Sequence, residues 1–226
     1  MHILSSTKAD PPADSDALST PAKSVVITLV RHGQTEFNAQ QRVQGSLDTV
    51  LAENGLQQAE QLAQALREQQ FDGLYCSDLT RTRQTIAPYA RLAGNQTVYF
   101  RPDLRERRFG WFEGKTLEEV RKTHPDRAER LLSRDPSYDV HGGESLISFY
   151  QRAVGALRSI SQNHQAGEHL LVVTHGGVLD CVQRWARGLA LDTRRDFEIL
   201  NTSLNRISIQ GEHCRIDAWA QIGHLR

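Results

Sequence analysis

Two apolar runs in this chain each stop at a His-Gly pair, and that repetition constrains the fold more than any single motif. The first is Val25-Val26-Ile27-Thr28-Leu29-Val30, followed by Arg31-His32-Gly33. The second is His169-Leu170-Leu171-Val172-Val173-Thr174, followed by His175-Gly176-Gly177. Unalternating apolar runs of this length suit strands buried on both faces, as in a parallel sheet covered by helices. Such strands carry His32 and His175 to their C-terminal ends, where ligand crevices form in open α/β sheets. With both strands in one sheet, the two imidazoles meet at one edge beside Arg31. A cation next to an imidazole there points to an anion, most simply a phosphate. The competing readings are a metal pair and two satisfied core histidines. A metal site should add carboxylate or thiolate ligands, whereas the nearby candidates are mainly arginines, which would repel a cation.

Between these runs, strand-like and helix-like segments alternate. Helical spacing covers residues 51–66, and Phe71-Asp72-Gly73-Leu74-Tyr75-Cys76 reads as a short strand. Ser77-Asp78 then offers N-cap material for a helix reaching about Leu92. A third strand is expected at residues 98–101, and a polar helical stretch at 116–133, broken at His124-Pro125, reads as an excursion from the core. Helices follow at residues 144–161 and from Gly176 to about Gly188, and residues 205–210 and 215–220 form a closing hairpin. This order predicts an α/β fold: a three-layer α/β/α sandwich with a mostly parallel central sheet.

At 226 residues the chain is long enough for one sizeable core, expected over residues 25–226. Residues 1–24, rich in Ser, Asp, Ala and Pro, are expected to form a disordered tail. Lys and Arg (27) balance Asp and Glu (27), so no global field favours nucleic acid or an anionic membrane, and any anion specificity must come from locally placed arginines. Cys76, Cys181 and Cys214 lack metal-ligand spacing and read as free thiols of a reducing compartment. With no apolar stretch long enough for a bilayer and no signal-peptide core at Met1-His2-Ile3-Leu4, a cytoplasmic enzyme, monomeric or homodimeric, is the expectation.

Six blocks in order sharpen the reading. Leu29-Val30-Arg31-His32-Gly33-Gln34-Thr35-Glu36-Phe37-Asn38 resembles the signature of the histidine phosphatase superfamily, also called phosphoglycerate-mutase-like. Arg42-Val43-Gln44-Gly45-Ser46-Leu47-Asp48 is similar to its next block. Cys76-Ser77-Asp78-Leu79-Thr80-Arg81-Thr82-Arg83-Gln84-Thr85 resembles its arginine motif, and Leu104-Arg105-Glu106-Arg107-Arg108-Phe109-Gly110-Trp111-Phe112-Glu113-Gly114 its acid-bearing segment. Gly142-Gly143-Glu144-Ser145 and Val173-Thr174-His175-Gly176-Gly177-Val178-Leu179 complete the order, so the resemblance covers about residues 25–210. One departure is Asp48-Thr49-Val50-Leu51, where the family commonly has a proline before the leucine.

The resemblance implies a role for each residue. His32 is the expected nucleophile, its other ring nitrogen held by a hydrogen bond so that the lone pair faces phosphorus. Arg31 and Arg81 would clamp the phosphoryl oxygens, and a protonated His175 would add a donor. Glu106 is the expected general acid and then base; its neighbours Arg105, Arg107 and Arg108 supply the alternative of a charge-balancing carboxylate. Glu113 fits a structural turn, and Arg83 a surface helix. Asn38, Gln44, Gly45 and the Gly176 N–H at a helix start are expected substrate contacts. Trp111 and Phe37 would line the leaving-group pocket or pack in the core. No metal and no cofactor is implied, because the arginines neutralise the charge that Mg²⁺ neutralises in other phosphoryl-transfer enzymes.

The same family holds phosphatases and 2,3-bisphosphoglycerate-dependent mutases, both passing through phosphohistidine. The insertion at about residues 115–141 resembles the short helical cap of broad-specificity phosphatases, and Gln44-Gly45-Ser46 stands where mutases carry Thr-Gly-Trp. A metal-independent phosphomonoesterase acting on small phosphorylated metabolites is therefore the expectation, with the mutase as the alternative. A non-catalytic phospholigand-binding module would have lost one of Arg31, His32, Arg81, Glu106 or His175, and all are present.

Overall fold

The computed structural model describes residues 24–225. A six-stranded sheet forms from β1 (Val25–Arg31), β2 (Gly73–Cys76), β3 (Val98–Phe100), β4 (His169–Thr174), β5 (Leu204–Gln210) and β6 (His213–Gln221), in the order β3-β2-β4-β1-β5-β6. β3, β2, β4 and β1 run parallel, and β5 and β6 close one edge antiparallel. The two apolar runs are therefore adjacent strands, with Arg31 opposite Thr174, so His32 and His175 leave the sheet side by side.

Each central strand sends alternate side chains into two cores, which is why both runs are apolar without alternation, Thr28, His169 and Thr174 apart. On one face Ile27, Leu29, Leu170 and Val172 pack against Phe149, Ala153, Leu157, Val178 and Val182 of α6 (Leu146–Gln162) and α7 (Gly176–Arg187). On the other, Val30, Leu171 and Val173 meet Leu62, Ala63, Leu66, Ile86 and Tyr89 of α2 (Glu53–Leu66) and α3 (Thr80–Leu92). This is the expected three-layer sandwich. A single turn, α1 (Glu36–Ala39), follows β1 and is an addition to the sequence reading.

The excursion breaks where His124-Pro125 predicts, into α4 (Leu117–Thr123) and α5 (Pro125–Leu132). It carries its own small core of Phe112, Val120, Ala128, Tyr138 and Val140. One cap expectation is corrected. Ser77 and Asp78 do not cap α3; the Asp48 carboxylate takes the Thr80 N–H at 2.6 Å and its hydroxyl at 2.8 Å. Asp48 ends the second family-like block, so that block supplies the acceptor at the start of α3. Residues 1–23, and with them nearly all of the expected tail, lie outside the described residues. Ser24 belongs to the fold, its carbonyl accepting the Gly167 N–H.

Candidate active site

Residues 31–33 leave β1 with their backbone fixed on three sides. The His32 N–H donates to the Thr174 carbonyl at 2.9 Å, the Gly33 N–H donates to the Thr85 hydroxyl at 3.0 Å, and the Asn201 amide donates to the His32 carbonyl at 2.7 Å. Gly33 has no room for a side chain, because a Cβ would lie 2.6 Å from the Gly55 carbonyl oxygen. The His32 ring is buried and donates Nδ1–H to the Gly33 carbonyl at 2.7 Å. That bond fixes the tautomer and leaves Nε2 as the free lone pair.

His175 meets His32 edge-on, ring centroids 5.3 Å apart. Its Nε2 bonds the Ser77 hydroxyl at 2.8 Å, while its buried Nδ1 has no partner. Arg81 is fully buried, with Nη1 and Nη2 donating to the Leu47 and Gly45 carbonyls at 2.7 and 2.9 Å, and its Nε unpartnered. Arg31 donates Nη1–H to the Ile199 carbonyl at 2.8 Å and likewise keeps a buried, unpartnered Nε. Three donors around one imidazole are therefore buried without an acceptor. A buried unsatisfied polar group costs about 1–3 kcal/mol, so three of them beside one another call for an anion.

Burial, reinforced by Arg81 and Arg31, holds His32 well below the ordinary histidine value. Burial and the Arg81 and His32 charges do the same to His175. The free site therefore disfavours the protonated form of His175 through which the added donor was expected. Burial also lowers Arg81 to about 10, against the opposing pull of Glu106, and it lowers Arg31.

Glu106 reaches the same crevice from the loop after β3. Its Oε1 accepts the Arg107 N–H at 2.8 Å and its Oε2 accepts the Gly177 N–H of α7 at 2.9 Å. The neighbouring guanidiniums point elsewhere. Arg105 is paired with Asp78, and Arg107 donates Nε–H to the Glu144 carbonyl. Arg152, which the sequence reading missed, clasps the whole segment: it pairs with Glu144 and donates to the Asp103, Arg105 and Glu106 carbonyls. The available signal was an arginine between Phe149 and Ala153, beside the apolar face of α6. Ser77, Thr85 and Asn201 were also missed, since single hydroxyls and amides carry no pattern.

The remaining expected contacts divide. Glu113 is the structural turn residue anticipated, accepting the Ser46 and Phe109 N–H groups, and Arg83 is exposed on α3. Gly176 lies against Arg31, where a Cβ would sit 3.4 Å from its Nε. Gly45, at φ +54°, holds Arg81 through its carbonyl. Asn38 spends its Oδ1 on Thr35 in a capping box and Gln44 its Oε1 on Thr49, so each can offer a ligand only its amide N–H₂. Trp111 packs in the cap against His124, Lys115 and Arg127. Beside Glu106 opens a cavity of about 170 Å³ lined by Phe109 and Phe149, with neither Trp111 nor Phe37 among its walls. Among the described residues, no three His, Cys, Asp or Glu are placed to hold a metal, and no helix is long and apolar enough to cross a membrane.

A family model for the histidine phosphatase superfamily (branch 1) matches residues 27–222. Phosphoglycerate mutase-like protein 4 of Arabidopsis thaliana is 38% identical over 202 residues, 88% of this chain and 86% of that protein. The metal-independent phosphoserine phosphatase of the same plant is 32% identical over 93% of this chain and 87% of its own length. The solved structure of Bacillus stearothermophilus YhfR superposes with a TM-score of 0.80 at 29% identity, covering 90% of this chain and all of that one.

Proposed function

The chain belongs to the histidine phosphatase superfamily and is an enzyme of phosphatase type, and we propose that it hydrolyses small phosphomonoesters, without a metal, through a phosphohistidine on His32. The observation that carries this reading is the set of three buried, unpartnered donors, Arg31 Nε, Arg81 Nε and His175 Nδ1, around an imidazole whose Nε2 is free.

A phosphate seated among these donors satisfies all three, and it presents phosphorus to Nε2. His32 attacks, forming the N–P bond as the P–O bond to the leaving group breaks. Arg31 and Arg81 stabilise charge on the equatorial oxygens, and neutral His175 adds its Nδ1–H. The Ser77 hydroxyl, donating to Nε2, would keep the His175 proton on Nδ1. Glu106 gives its proton to the departing oxygen, then takes one from the water that attacks phosphohistidine, releasing inorganic phosphate and regenerating neutral His32. The metal-independent phosphoserine phosphatase among the relatives supports transfer to water over retention for a mutase cycle. The three free cysteines support a reducing, cytoplasmic setting.

The test is hydrolysis of p-nitrophenyl phosphate in EDTA, with acid-labile phosphate trapped on the protein. Turnover should survive EDTA, and both turnover and trapped phosphate should vanish in His32→Ala. Activity retained in His32→Ala would overturn the proposal. Conversion of 3-phosphoglycerate to 2-phosphoglycerate faster than phosphate release would assign the mutase instead.

A further inference from the structure

One peptide unit ties the nucleophile to a residue of α2 that the chemistry above leaves unused. The carbonyl of the Gly33–Gln34 peptide accepts the His32 Nδ1–H at 2.7 Å, and the N–H of the same peptide donates to Gln58 Oε1 at 2.9 Å. The peptide is trans, so these two groups point in opposite directions. An unbroken chain therefore runs from the His32 ring through the peptide to the Gln58 amide. Only the oxygen of that amide can accept from an N–H, which fixes its orientation.

The fold builds this contact with care for space. The first turn of α2 meets the loop backbone to backbone: the Ala52 N–H donates to the Gln34 carbonyl at 2.9 Å, and a Cβ on Gly55 would lie 2.0 Å from that same oxygen. Gln58, three residues after Gly55, lies on the same face of the helix and reaches the loop one turn further on. The preceding peptide is held by other groups, the His32 carbonyl by Asn201 and the Gly33 N–H by Thr85. Those two fix where the ring stands. Neither acts on the carbonyl that receives the ring proton.

We infer that Gln58 is a positioning residue for the nucleophile: acting through the Gly33–Gln34 peptide, it holds the His32 proton on Nδ1 and keeps the Nε2 lone pair free. An acceptor on the peptide N–H draws negative charge toward the carbonyl oxygen, and hydrogen bonds in a chain polarise one another in this way. The His32 ring turns cationic as its Nε2 lone pair forms the N–P bond, so a more negative carbonyl at Nδ1–H also stabilises the charge that develops. A carboxylate plays this part beside the histidine of a serine protease. Here a neutral amide plays it across a peptide.

The kinetic half of the inference rests on the phosphatase reading; the ring-proton half does not. The test uses Gln58→Met, which keeps length and loses the acceptor, and Gln58→Glu, which keeps an acceptor. Ring ¹⁵N signals of His32, assigned by their absence from His32→Ala, should report the Nδ1–H tautomer in the wild type and in Gln58→Glu, with the Nε2–H tautomer growing in Gln58→Met. For p-nitrophenyl phosphate, kcat/KM in Gln58→Met should fall about ten-fold or more, while inhibition by inorganic phosphate changes less than about two-fold because Arg31 and Arg81 keep their seats. Gln58→Glu should hold kcat/KM near the wild-type level. A wild-type ring protonated mainly on Nε2 would overturn the inference without any variant. So would a fall in kcat/KM with the tautomer unchanged, which marks a merely structural residue, or equal losses in the two variants, or no change in Gln58→Met. Should Gln58→Met fail to fold, Gln58→Lys, which offers only donors, takes its place. A wild-type enzyme that hydrolyses no phosphomonoester would overturn the phosphatase reading, and the tautomer comparison would still decide on Gln58.

Discussion

Gly177 sits where the second turn residue of α7 passes directly beneath the Glu106 carboxylate, and Gly177→Ala tests whether that carboxylate is the proton donor. A Cβ there would lie 2.0 Å from Glu106 Oε1 and 2.9 Å from a Phe149 ring carbon. Real contacts essentially never fall under 3.0 Å, so the carboxylate must retreat by about 1 Å and loosen the 2.9 Å bond from the Gly177 N–H. A misplacement of that size costs on the order of 10²-fold in rate, or about 2.7 kcal/mol of barrier. The helix itself gains, since alanine is up to about 1 kcal/mol better than glycine in a helix, so the melting temperature should hold while activity falls. The assay is kcat/KM on two substrates. An alkyl phosphomonoester needs a proton on its leaving oxygen and should lose about two orders of magnitude. p-Nitrophenyl phosphate, whose leaving group departs as a stable anion, should lose far less. A well-folded variant with both values at the wild-type level would refute the placement of Glu106. Equal losses on both substrates would refute its role as the acid.

The His32 and His175 rings should show no NMR titration midpoint near the ordinary 6.5, because burial and the two arginines hold both well below it. The unfolded chain binds protons below about 6.5 that the folded chain refuses, so stability is full above that pH and declines as pH falls; a midpoint near 6.5 for either ring would contradict this. Arg81→Ala should weaken competitive inhibition by inorganic phosphate. It should also lower the melting temperature, because the buried Gly45 carbonyl loses its donor at about 1–3 kcal/mol for a group left buried and unpaired; an unchanged melting temperature and inhibition constant would refute the assignment. Cys76 and Cys181 should resist a thiol reagent in the native protein, as burial pushes the Cys76 thiol up to about 12 and Cys181 higher still. Rapid native labelling at either would show that the cores open.

The centre of the site was legible because its positions have few chemical options. A strand covered on both faces must be apolar throughout, so β1 and β4 announced themselves, and the polar pairs at their ends stood out against that background. Arg81 and Glu106 came from motif order, and the geometry gives each a seat that such order cannot describe. What stayed hidden is built by tertiary contact. Asn201 and Ile199 come from an irregular loop with no periodicity, yet they hold the backbone of His32 and the side chain of Arg31. Gln58 reads in sequence as one more polar residue of α2, and only the fold sets it against the peptide that follows His32. The failed Ser77-Asp78 cap has the same origin, since the competing acceptor, Asp48, lies more than thirty residues away.

The position of β1 also sets the order in which the enzyme can come into being. Its neighbours in the sheet are β4 and β5, so the strand that delivers His32 pairs only with segments starting at residues 169 and 204. During synthesis β1 leaves the ribosome long before either partner exists, and such long-range pairings close slowly. The lone pair of His32 is thus aimed only once residue 210 has emerged. A nascent chain carries every catalytic side chain through His175 while lacking the pocket that would let them act on a cell's phosphate esters.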